Sequence, residues 1–256
     1  MRFGICTDME YAGGVKEAGF DYIELKTYDV ALAAEEEFAE WMSRLEGLGL
    51  PCEAVNFFYP PDMQVVGPDI DEERIFEYIA AAIGRSGRTG ARMITVGSSK
   101  SRLIPEGFSR EKAKEQFARQ LRRMGELAAP LGITVAIEPI RPSSTNFINT
   151  IGEAAELCGM AAHESVRIMA DYYQMCGADD PVEEVTRYQD LISHLHTIEI
   201  GRKCYPEDPE DAGQKALFAA YRGERASIEG ADFTTVSVAK KALEALRSYA
   251  KAGNHI

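Results

Sequence analysis

Residues 132–150 read GITVAIEPIRPSSTNFINT, and the first eight of them decide how the chain is to be folded. Ile133, Val135 and Ile137 alternate along a β-branched run bounded by Gly132 and Pro139, the pattern of a short buried strand. The run stops at Glu138, so a carboxylate is expected where the strand opens into a polar loop. Outward from it lie seven further runs of the same kind: RFGIC, DYIELK, CEAVNFF and MITVGS before it, RIMADY, HLHTIEI and RASIEG after it. Between them stand longer segments with apolar residues three and four apart, such as AAEEEFAEWMSRLEGLG, EERIFEYIAAAIGRSG, SREKAKEQFARQLRRMGELAAPLG and TTVSVAKKALEALRSYAKAG. Gly49, Gly87, Gly132 and Gly253 read as helix stops.

Eight strand–helix units in 256 residues leave about 32 residues for each, the size of a βαβ repeat. The expected fold is therefore α/β, a single (β/α)8 TIM barrel spanning 1–256 as one domain. A doubly wound open sheet would prefer a glycine fingerprint after the first strand, and GICTDMEYAGG contains no GxGxxG. CYPEDPEDAG reads as a loop, not a boundary.

In such a barrel the chemistry sits at the carboxyl ends of the strands, so the polar residues that end the apolar runs form one list. Glu138 ends VAIEP, Asp171 ends RIMADYY, His196 lies in SHLHTIEI and Glu229 ends ASIEG. Three carboxylates at one mouth raise each other's pKa unless a cation neutralises them, which points to a divalent metal. Three oxygen ligands and one imidazole suit Mn²⁺, Mg²⁺ or Co²⁺ and also hold Zn²⁺, with no choice among them from the donor set. His194 and His196 point the same way along their strand, one as a ligand and the other as a core or supporting residue.

Composition removes other classes. The net charge of −13 repels phosphate backbones and anionic membranes, so neither nucleic acid nor membrane is an expected partner. Five scattered cysteines without a CxxC pair suggest reduced thiols and a cytoplasmic location, and no apolar run is long enough to span a bilayer.

At these residues the sequence resembles the xylose isomerase-like TIM-barrel superfamily, in particular its sugar phosphate isomerase/epimerase and ketose 3-epimerase branch. EPIRPSSTNFINT is similar to EPLNRxExNFxNT, DYYQM to DxxHM, HLHTIEIGR to HxHxxExNR, and YRGERASIEG to GYxGxxxxE. The resemblance implies that Glu138, Asp171, His196 and Glu229 are the four metal ligands, that Glu138 and Glu229 are the catalytic acid/base pair, and that Arg202 binds substrate oxygens. Two positions depart from it: Ser144 stands at a substrate-binding Glu, and Gln174 at the His of DxxH. The loop RKCYPEDPEDAGQK also lacks PGxGxxD.

The expected activity is that of a metal-dependent isomerase or epimerase of a ketose or keto-polyol, phosphorylated or not, acting through an enediolate. The small-molecule partner is a sugar or keto-polyol, and a homo-oligomer is allowed. The alternatives are a dehydratase or lyase of a keto-cyclitol or 3-keto glycoside, and a non-catalytic sugar-binding barrel. Substrate contacts are expected from Gln174, Ser144 and Asn56, the last closing VNFFYPP. Ser98 is a further candidate for substrate contact, in the polar loop Gly97 to Arg102 whose backbone donors suit a phosphate or hydroxyls, and Glu24 in YIELK either faces the mouth or pairs with Lys26 or Arg2.

Overall fold

The computed structural model describes residues 1–201, 204–230 and 233–253. Eight parallel strands close into a barrel in chain order: β1 Arg2–Cys6, β2 Tyr22–Lys26, β3 Cys52–Asn56, β4 Met93–Val96, β5 Thr134–Ile137, β6 Val166–Asp171, β7 Ile192–Thr197 and β8 Arg225–Ile228. The expected (β/α)8 architecture is the one observed. Each of the eight sequence runs overlaps a strand, and the strands end early at two candidate site positions, since Glu138 and Glu229 lie one residue past β5 and β8. Their backbone N–H groups still donate to the neighbouring strands, Glu138 to Val96 O and Glu229 to Thr197 O, each at 3.2 Å. Those two bonds fix where the carboxylates leave the barrel wall.

Side chains alternate between two cores because the strand period is two. Ile23, Val55, Ile94, Val135, Ile137 and Ile168 face outward into the shell of helices. Tyr22, Ala54, Met93, Ala136 and Met169 form a separate layer inside the barrel. Two residues further along the same strands, on the same inward face, stand Glu24, Asn56, Thr95, Glu138 and Asp171. The polar layer follows from the apolar layer beneath it by counting two.

Helix ends follow the expected signals with one exception. The helix Glu35–Leu48 closes on Gly49 at φ +58°, and Gly132 at φ +67° ends the turn after Arg110–Ala128. Gly87 does not stop its helix, which runs Glu72–Thr89 and closes on Gly90 at φ +86°. At Gly87 a Cβ would stand 2.8 Å from Leu131 Cδ1, so this glycine permits close packing between helices. None of the five cysteines is in a disulfide. Among the described residues no helix is long and apolar enough to cross a membrane.

Candidate metal centre and pocket

The pairing of β6 with β7 sets Asp171 opposite His196 in register. Asp171 also caps the short helix Tyr172–Gly177: its Oδ1 accepts the Gln174 N–H at 2.8 Å. That bond orients the carboxylate and leaves Oδ2 buried without a hydrogen-bond partner. His196 is held from its other side, where Nε2 meets Glu24 Oε1 at 2.9 Å, while Nδ1 is buried and unpartnered. The two orphaned atoms face each other 4.0 Å apart. Glu138, Asp171 and His196 each bring one ligand atom into a cluster whose members all lie within 4.8 Å of one another. Buried polar atoms are rarely left unsatisfied, and two facing ones of this chemistry fit a divalent cation.

Electrostatics point the same way. Burial pushes the Glu138 carboxyl well above its ordinary range, and the charges of Asp171 and Glu229 push it further. Asp171 is raised as well, chiefly by burial. Burial pulls His196 down, but the charge and hydrogen bond of Glu24, with Glu229 and Glu138 behind them, outweigh it and raise the imidazole to about 10. A metal must therefore displace protons from this site before binding. Affinity is expected to tighten as pH rises, roughly tenfold per pH unit for each proton released. Calorimetric titration of Mn²⁺ in buffers of different ionisation heat counts those protons directly.

The mouth above this cluster has two lobes that share Phe57, Glu229 and Gly230. The wider, about 510 Å³, is walled by Cys6, Thr7, Asp8, Lys26 and Asn56. The narrower, about 200 Å³, is walled by Gly97, Ser99, Glu138, Arg141, Ser144 and Gln174. Burial, with the charges of Glu24 and Glu229, holds the Cys6 thiol well above its usual range, so it is a neutral wall group at pH 7. Asn56 is 3% exposed, and both atoms of its amide lack a partner among the described residues. A donor and an acceptor are thus left unspent at the mouth.

The loop after β5 is pinned to its strand. Asn149 Nδ2 donates to Ile140 O at 2.6 Å and to Thr145 O at 2.9 Å, and Arg102, fully buried, donates through Nη2 to Glu138 O at 2.7 Å. Ile148 takes φ +62° here, a conformation that costs a β-branched residue about 1–3 kcal/mol, and the surrounding bonds hold it.

Two expected site residues lie elsewhere than the rim. Glu24 is wholly buried beneath the cluster of Glu138, Asp171 and His196, where its Oε2 accepts from Ser227 Oγ at 2.6 Å and meets His194 Nε2 at 3.2 Å. It pairs with neither Lys26, which takes Asp8, nor Arg2, which takes Glu53. Burial raises its pKa, but His196 and His194 hold it well below the carboxylate range. Glu24 thus orients His196 so that Nδ1 faces Asp171, the arrangement by which a carboxylate fixes a ligand's tautomer. Glu24→Gln is expected to weaken Mn²⁺ binding by about 10–100-fold with the fold retained, measured by titration of the metal-free protein. Ser98 is likewise turned away: its Oγ accepts from Tyr59 N at 2.8 Å and donates to Tyr59 O at 3.0 Å, and Ser99 is the serine in the pocket wall.

Ser144 and Gln174 both line the narrow lobe with Glu138, and Glu229 lines both lobes. Arg202 lies outside the described residues. Sequence reasoning placed Gly97 only in the polar loop after β4 and missed that a Cβ there would fall 1.5 Å from Glu138 Oε2; it missed Arg141 altogether. Glycine at the end of β4 makes the space the carboxylate occupies.

The family model described as xylose isomerase-like TIM barrel matches residues 14–204. Among solved structures, 3-keto-D-glucoside 4-epimerase from E. coli superposes with a TM-score of 0.79 at 21% identity, covering 97% of this chain and 99% of that one. D-psicose 3-epimerase, crystallised in the presence of D-fructose, gives 0.81 at 17% identity with 98% of each chain covered. L-ribulose 3-epimerase gives 0.80 at 17%, covering 99% of this chain and 96% of that one. No curated protein matches the chain in sequence.

Proposed function

The chain belongs to the xylose isomerase-like TIM-barrel family, and from that premise we propose that it is a divalent-metal-dependent isomerase or epimerase of a ketose or related keto-polyol. The observation that carries the reading is the facing pair of orphaned buried atoms, Asp171 Oδ2 and His196 Nδ1, with the Glu138 carboxylate beside them. The sugar epimerases among its structural neighbours support the reaction class. Glu138, Asp171, His196 and Glu229 would hold the cation, with Mn²⁺ the expected ion.

A bound divalent cation supplies polarisation of the substrate carbonyl, which acidifies the neighbouring C–H. The protein's part is to position and to move protons. A ligand filling the mouth meets Glu229 from either lobe and Glu138 from the narrow one. One carboxylate takes the proton from the carbon beside the carbonyl, and the other returns a proton. Return to the opposite face of the same carbon gives an epimer, and return to the neighbouring carbon gives an isomer. Asn56, with both amide atoms free, bonds a substrate hydroxyl or carbonyl and fixes which carbon is presented. Gln174 holds its place by hydrogen bonds alone, since an amide does not exchange charge at neutral pH.

Elemental analysis of purified wild type beside Glu229→Ala tests the metal part. The reading expects one divalent ion per chain in the wild type and its loss after dialysis of the variant. Wild type that takes up no metal even with added Mn²⁺ would contradict it.

A further inference from the structure

The narrow lobe contains a cation that the proposed reaction does not use. Arg141 stands three residues past Glu138, in the loop after β5. Its stem rests on Gly177, where a Cβ would lie 2.6 Å from Arg141 Cδ and 3.0 Å from its Cβ. Its guanidinium lies 4.4 Å from the ring centre of Tyr173. Nε donates to Ser143 Oγ at 3.0 Å and Nη1 to Gln174 Oε1 at 3.3 Å. The side chain is therefore seated on four sides before any ligand arrives.

A guanidinium carries five N–H donors in a rigid planar fork. Two are spent on Ser143 and Gln174, and Nη2 has no acceptor among the described residues. No carboxylate forms an ion pair with Arg141 among those residues either. The other groups of this wall, Ser99, Ser144 and Gln174, are neutral, and the two acids of the lobe, Glu138 and Glu229, belong to the proposed metal centre. A held arginine with an unspent edge and no ion-paired carboxylate, its charge felt only at a distance by Asp171, is built for an incoming oxyanion even in a chain of net charge −13.

We propose that Arg141 recognises an oxyanion on the substrate, so that the substrate class is an anionic keto-sugar carrying a carboxylate or a phosphate away from its carbonyl. The keto-sugar half of this statement rests on the function proposed above, and the oxyanion half rests on Arg141. Carboxylate and phosphate present the same pair of acceptor oxygens to the fork, and the probes below separate them.

The test is calorimetric binding of D-fructose, D-fructose 6-phosphate and D-fructuronate to the Mn²⁺-loaded protein, for wild type, Arg141→Met and Arg141→Lys. At least one anionic probe is expected to bind wild type tenfold or more tightly than D-fructose. In Arg141→Met the anionic and neutral probes bind alike, and Arg141→Lys, which keeps the charge but not the fork, falls between. Preference for the phosphate assigns a sugar phosphate, and preference for the uronate a sugar acid. Equal binding of all three to wild type, no binding of either anion, or a preference that survives in Arg141→Met overturns the proposal. Thermal melting checks that the Met variant folds, with Arg141→Gln as the second neutral variant. Deuterium uptake from solvent in the same samples keeps the two readings apart. Anion preference without uptake on any probe leaves Arg141 its role and sinks the epimerase, whereas uptake without anion preference does the reverse.

Discussion

Glu138→Gln is expected to leave a folded barrel that loses its hold on divalent metal and exchanges the substrate's C–H at a rate lower by roughly 10³-fold, the scale of a lost general base. The amide keeps the volume and the backbone bond to Val96 O, so the loop after β5 stays in place. What it removes is a buried carboxyl that can ionise beside Asp171 and His196 when a cation is present. The consequence for stability has the opposite sign from the consequence for function. A carboxyl whose pKa is raised on folding loses stability as pH climbs from its unfolded value, about 4.3, through its raised folded value. Glu138 is such a group. Metal-free Glu138→Gln should therefore be at least as stable as metal-free wild type at neutral pH, with the difference vanishing below about pH 4. Melting curves in chelator across that range, beside metal titrations at pH 7, check both halves. A variant that melts early at neutral pH while still binding Mn²⁺ would show that Glu138 is a structural acid.

Gly97→Ala should be nearly as damaging without replacing any charged group. The added Cβ would lie 1.5 Å from Glu138 Oε2 and 2.7 Å from its Cδ, so the carboxylate must swing away. Glu138 has little room to do so, being buried and fixed at its backbone by Val96 O and by Arg102. Overpacking of this kind costs about 1–3 kcal/mol of stability. The larger effect is on the site, where a displacement near 1 Å at a reacting group costs about 10²-fold in rate. Mn²⁺ affinity and turnover should fall together, while the melting temperature of the metal-free protein moves by only a few degrees. Unchanged metal affinity in Gly97→Ala would mean that Glu138 points elsewhere when metal is bound.

How much of this could be read beforehand differs from residue to residue. The barrel was legible because eight alternating runs are a repeated local signal, and the convergence of Glu138, Asp171 and His196 followed from the barrel's own geometry. Glu24 shows where that logic ends. A polar residue closing an apolar run looks the same whether it reaches the rim or turns beneath it, and the partners that decide, His194 and His196, are 170 and 172 residues away. Ser98 and Ser99 are adjacent serines of one loop, and only the contact with the Tyr59 backbone separates the structural one from the one that lines the pocket. Gly97 carried no signal because its role is an absence, the space for a side chain 41 positions later in the chain. Arg141 had one available cue, a cation three residues past a strand-end acid, but the Gly177 seat and the Tyr173 stack depend on tertiary packing.

The reaction proposed for this barrel is abstraction of a proton beside a ketone with the help of a bound divalent cation. Proton NMR of ketoses and their phosphates in D₂O, with protein loaded with Mn²⁺ and then stripped by chelator, measures it most directly. To avoid paramagnetic broadening, the sugar is separated from the protein and metal before the spectrum is taken. Loss of the C–H signal beside the carbonyl of at least one substrate with the loaded protein, and its persistence with the stripped protein, is the expected result. Retention of every C–H signal with fully loaded protein, for sugars shown to bind, would contradict the account and leave a metal-binding barrel that holds sugars without turning them over.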